Sequence, residues 1–97
     1  MKVGTVNDLP PEGESRAFHV AGKTVCIANV NGEYCAMDDV CPHRGGPLGM
    51  GYVEDGKVIC PWHGWQFDAR TGMAPQGKAG VAIYQLHIEG GNVFVKL

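Results

Sequence analysis

No stretch of this chain runs longer than nine residues without a glycine or a proline. An average helix takes about 11–12 residues and an average strand about 5–6. That shortage of uninterrupted sequence excludes a helical bundle, an α/β fold with several full helices and any long coiled coil. Charge is also scarce and balanced, at 19% of residues with a formal net charge of −2 and no run of one sign. Neither a basic stripe for nucleic acid nor a polybasic patch for a membrane surface is present. No segment approaches the roughly 18 apolar residues of a spanning helix. The first ten residues lack the apolar core of a secretion signal. The expected location is therefore cytoplasmic, where thiols stay reduced and the four cysteines point to metal or catalysis before disulfides.

With 44% of residues apolar, the 97-residue chain is too hydrophobic to stay disordered. Its length suits one domain over residues 1–97 with a modest core. Turn signals such as Ala21-Gly22, Asn31-Gly32, Asp55-Gly56 and Gly90-Gly91 separate short runs rich in Val, Ile, Tyr and Phe. That spacing predicts an all-β fold, an antiparallel sandwich or barrel. Asn31-Gly32 favours a two-residue type I′ turn between strands over 25–30 and 33–38. The register then sets Val30 opposite Glu33, Ala28 opposite Cys35 and Cys26 opposite Met37. Strands over 18–20 and 23–25 pair about Ala21-Gly22. Strands over 82–88 and 92–97 pair about Gly90-Gly91, with Tyr84, Leu86 and Ile88 on one half-buried face.

Residues 41–80 read differently. They hold nine of the fifteen glycines, four of the six prolines and both tryptophans, around strands that must be very short. Long irregular stretches within a compact domain usually carry function. Two motifs lie here, Cys41-Pro42-His43 and Cys60-Pro61-Trp62-His63. In each, a proline stiffens the chain just after the cysteine. Glycines that follow, Gly45, Gly46 and Gly64, allow backbone N–H groups to approach an inorganic sulfide. Two thiolates and two imidazoles could form a tetrahedral zinc site. Zinc motifs, however, commonly group Cys with Cys and His with His, whereas each motif here supplies one of each. Two such segments facing one another could send both Cys to one metal and both His to a second, which suits a binuclear centre.

The run Cys41-Pro42-His43-Arg44-Gly45-Gly46-Pro47-Leu48, followed by Cys60-Pro61-Trp62-His63-Gly64-Trp65-Gln66-Phe67-Asp68 and Thr71-Gly72, resembles the Rieske [2Fe–2S] family. The resemblance implies an antiparallel β-sandwich with a small inserted cluster-binding subdomain, about 41–80. It implies one [2Fe–2S] cluster, with Cys41 and Cys60 on one iron and His43 and His63 on the other. It further implies a third covering loop, loosely matched by Met73-Ala74-Pro75. Rieske proteins of cytochrome bc complexes carry a disulfide at the positions held here by Gly46 and Trp62, and Ser and Tyr hydroxyls at those held by Trp65 and Phe67. Without those hydroxyls the reduced, more negative cluster is less stabilised. The expected potential lies in the low part of the roughly −150 to +300 mV range of Rieske centres.

The implied role is a soluble, monomeric ferredoxin rather than an enzyme. It would carry single electrons from an NAD(P)H-dependent flavin reductase to a terminal oxygenase, docking around His43 and His63. The alternatives are a small Rieske subunit of a nitrite reductase-type enzyme and, more remotely, a structural zinc module. Other residues read as ordinary structure. Cys26 and Cys35 lie diagonally, about 7–8 Å apart, and are expected as core residues rather than a disulfide. His19 and His87 are expected as strand histidines, too few to build a second iron site. Asp38-Asp39 is expected as a solvated loop. Of Trp65 and Phe67, one is expected packed and the other exposed. Arg44 and Arg70 are candidates for a basic contact near the cluster.

Overall fold

A computed structural model of the chain describes residues 1–40, 46–62, 64–74 and 80–96. The described strands are β1 (Lys2–Thr5), β2 (Ser15–Val20), β3 (Lys23–Val30), β4 (Glu33–Asp38), β5 (Tyr52–Glu54), β6 (Lys57–Ile59), β7 (Gln66–Asp68), β8 (Ile83–Glu89) and β9 (Asn92–Lys96). All pairings are antiparallel. One sheet of six strands runs in the order β1-β9-β8-β4-β3-β2, and a second of three runs β5-β6-β7. Strands β1 and β2, at the two ends of the larger order, lie against each other and bring that sheet close to a barrel. The all-β expectation is met. The small sheet falls in sequence between β4 and β8.

The β3–β4 hairpin has the register that Asn31-Gly32 predicts, with Val30 opposite Glu33, Ala28 opposite Cys35 and Cys26 opposite Met37. Asn31 and Gly32 take φ of 55° and 88°, the left-handed pair of a type I′ turn. The buried Asn29 side chain secures this end, accepting the Gly32 N–H at 2.8 Å and donating to the Pro10 carbonyl at 3.0 Å. Pairing of β2 with β3 extends well beyond the turn, to Ser15 opposite Ala28.

Strand β3 has both faces covered, and its alternation divides the core in two. Val25 and Ile27 join Phe18, Val20, Ala36, Val93 and Val95 inside the larger sheet. Cys26 and Ala28 face the other way, onto Met37, Leu48, Val58, Cys60 and Phe67 beneath the small sheet. A cysteine of the second motif thus belongs to a hydrophobic core. At the far end, β8 and β9 pair from Gln85–Lys96 to Glu89–Asn92, and Tyr84 and Leu86 are half-buried as expected. Ile88 is a correction, because it is exposed. Strand β4 pairs with β8 at Ala36–Tyr84 and Met37–Ile83, a register that ends short of Ile88. Strand β1 is an addition, held on β9 across an irregularity between Lys2 and Gly4.

Candidate metal centre

The second motif grows from a hairpin end. Strands β6 and β7 pair Val58 with Phe67 and Ile59 with Gln66. Beyond that register the Cys60 N–H donates to the Trp65 carbonyl at 2.8 Å, closing the turn over 60–65. Pro61 limits the turn's backbone freedom, and Gly64 takes the left-handed region at φ 71°. The Cys60 side chain is buried, and the Trp62 N–H donates to its Sγ at 3.4 Å. A backbone donor is thus aimed at the cysteine sulfur.

The first motif is gripped at its ends. Val40 and Pro47 form an antiparallel bridge, and the Leu48 N–H donates to the Asp39 carbonyl at 2.8 Å. Gly46 sits against the second motif so closely that a Cβ there would meet Cys60 Sγ at 2.7 Å and Trp62 Cγ at 3.1 Å. The two motifs therefore converge at Gly46, Cys60 and Trp62. Cys41, His43 and Arg44 of the first motif and His63 of the second lie outside the described residues.

A third segment returns to the same core. The Asp68 carboxylate accepts the N–H groups of Arg70 at 2.8 Å and Thr71 at 3.1 Å, which holds its pKa below the usual carboxylate value. The Gly72 N–H then bonds the Asp68 carbonyl at 2.7 Å, and the Gly72 carbonyl accepts the Val81 N–H at 2.8 Å. Gly72 has φ 77°, and a Cβ there would collide with the Val81 carbonyl oxygen. Met73 bridges Gly80, and Ala74 is buried in the core that contains Cys60. The expected covering residue Pro75 lies outside the described residues. Met73 and Trp62 are each about half exposed, as is Val40.

Several expectations about neighbouring residues can be settled. Cys26 is fully buried and Cys35 half-buried, and neither is in a disulfide. Burial pushes both thiols up, which favours the protonated form. His19 and His87 are exposed strand residues, beside Thr24 and Glu89 respectively. Asp38-Asp39 is not a solvated loop. Asp39 is only 6% exposed, and its Oδ1 accepts the Gly49 N–H at 2.6 Å. Trp65 and Phe67 do not divide between packing and exposure. Residues two apart share a strand face, and their rings lie 6.3 Å apart, with Phe67 buried and Trp65 half-buried against the same core. Of the three aromatics Trp62, Trp65 and Phe67, Trp62 is the exposed one. Arg70 is occupied with Glu33 at 2.8 Å on the surface.

Comparison with known proteins agrees with this arrangement. Residues 1–86 match the family profile of the Rieske [2Fe-2S] domain. The chain is 34% identical over 90 residues to the 3-phenylpropionate/cinnamic acid dioxygenase ferredoxin subunit of Escherichia coli, covering 90% of this chain and 84% of that one. The Sphingomonas yanoikuyae ferredoxin structure superposes with a TM-score of 0.88 at 28% identity, covering 100% of this chain and 97% of that one. A structure described as the complex of reduced oxygenase and oxidized ferredoxin in carbazole 1,9a-dioxygenase gives 0.84 at 25% identity, covering 99% of this chain and 100% of that one. Motif, convergent geometry and relatives together place the chain in the Rieske [2Fe-2S] domain family.

Proposed function

We propose that the chain is a single Rieske domain in which Cys41 and Cys60 hold one iron and His43 and His63 the other, within a cluster-binding subdomain over 41–80. The observation that carries this reading is Cys60, buried at the meeting point of both motifs with a backbone N–H aimed at its sulfur. When bound, the cluster accepts and returns one electron. The protein is an electron-transfer component with no catalytic residue of its own. Its reductant is an NAD(P)H-dependent flavin reductase and its acceptor a terminal oxygenase. The described residues Val40, Trp62 and Met73, which flank the motifs and the third segment, are apolar and exposed. Such a patch suits brief docking through a small interface, as a carrier that must leave after each transfer requires. The working form is a cytoplasmic monomer.

Purification and EPR together test this reading. A brown monomer whose dithionite-reduced form gives a rhombic signal of low average g supports it. A colourless, EPR-silent protein containing zinc overturns the ligand assignment. Obligate co-purification with a larger reductase overturns the free-carrier role and leaves the ligands in place.

A further inference from the structure

Asp39 is the buried acidic side chain among the described residues, and its carbonyl and carboxylate both face one short segment. Its N–H donates to Thr24 of β3 at 3.2 Å, which fixes it to the large sheet. Its carbonyl accepts the Leu48 N–H and its carboxylate the Gly49 N–H, at 2.8 and 2.6 Å. Leu48–Met50 forms a single 3-10 turn, and that turn is itself immobilised. Leu48 is fully buried, the Ser15 hydroxyl donates to its carbonyl at 2.8 Å, and Gly49 abuts the Ala17 backbone. Asp39 thus joins two elements, the end of the β3–β4 hairpin and the Leu48–Met50 turn, on either side of the segment that carries Cys41 and His43.

We infer that Asp39 is a positioning residue for the cluster: its carboxylate–Gly49 bond clasps the two ends of residues 40–48, the stretch that supplies the proposed ligands Cys41 and His43. The inference rests on the ligand assignment proposed above. A carboxylate suits the role because a charge-assisted bond to N–H is shorter and stronger than a neutral one. Ser15 provides the control, since it holds the same turn through the Leu48 carbonyl and makes no bond to Asp39 or Gly49.

The test uses full-length cluster-loaded protein as wild type, D39N, D39A and S15A. The readouts are the reduced-state EPR spectrum, the rate of cluster loss to a chelator, and thermal unfolding of the apoprotein. Removing the support of a metal ligand typically costs about 10–100-fold in affinity. D39A is expected to lose its cluster faster by about that factor, with an altered EPR line shape. D39N keeps an amide oxygen for Gly49 but drops the charge, so its loss rate falls between wild type and D39A. S15A lowers the apoprotein melting temperature and leaves spectrum and loss rate unchanged. A D39N protein that loses its cluster at the wild-type rate overturns the inference, whether or not D39A folds. So does a D39A protein that behaves as S15A does. A wild-type protein without the rhombic signal overturns the ligand assignment itself, a separable result.

Discussion

A single methyl group is enough to disturb the point where the two motifs meet. At Gly46 it would press on Cys60 Sγ at 2.7 Å and on the Trp62 ring, so the thiol or the chain beside it must shift. G46A is expected to fold, shown by an unchanged circular dichroism spectrum, and to bind its cluster about tenfold more weakly. Iron analysis after reconstitution checks this, and full loading contradicts it. The cysteines divide sharply by the same logic. C60A is expected to lose the cluster, whereas C35A retains it, because Cys35 lies opposite Ala28 with only a packing role. The division of cysteines was legible in the sequence, because Asn31-Gly32 sets the hairpin register and the register separates Cys26 from Cys35. The burial of Asp39 was not legible. Two adjacent aspartates before a ligand motif look solvated, and only the return of Gly49 over the strand end, ten residues further along the chain, encloses one of them.

Each element offers its own measurement. Gly32 takes φ 88° in the β3–β4 turn, where a Cβ costs roughly 1–2 kcal/mol. G32A should therefore lower the melting temperature by about 4–8 °C for each kcal/mol in a domain of this size. Phe67 fills the core under the small sheet with no exposed surface, and F67A should destabilise by about 3–5 kcal/mol in urea unfolding. In the Asp68–Gly72 turn the sign of the pH effect is fixed. Two backbone N–H groups depress the Asp68 pKa from 3.8, so its contribution is complete above that value and fades as pH falls through the lower folded one. D68N should flatten the fall in melting temperature below about pH 4. Hairpins were readable because their turns and partners are adjacent in sequence. Strand β1 was not, since it is four residues long, its partner Asn92–Lys96 lies at the opposite end of the chain, and its register is irregular. Ile88 failed similarly: alternation says which face a residue takes, and only the length of β4 says whether anything covers it.

For the whole molecule, the glycine and proline excess that excludes helices has a definite place. Nine glycines fall within 41–80, and among the described ones Gly46 passes close to Cys60 Sγ, Gly51 to the Ile59 carbonyl and Gly72 to the Val81 carbonyl. The larger, barrel-like sheet supplies the platform, and β3 forms the wall between the two cores. The aromatic side chains at Trp65 and Phe67 contribute packing and no hydroxyl. Cyclic voltammetry should accordingly give a midpoint in the low part of the roughly −150 to +300 mV Rieske range, and a value in its upper half contradicts the role assigned to those positions. The central claim, that two thiolates and two imidazoles hold one binuclear cluster, is tested most directly by EPR of the dithionite-reduced protein beside its C60A variant. A rhombic signal of low average g in the wild type and its loss in C60A is the predicted result. An EPR-silent wild type, or a C60A protein with the same signal, contradicts it.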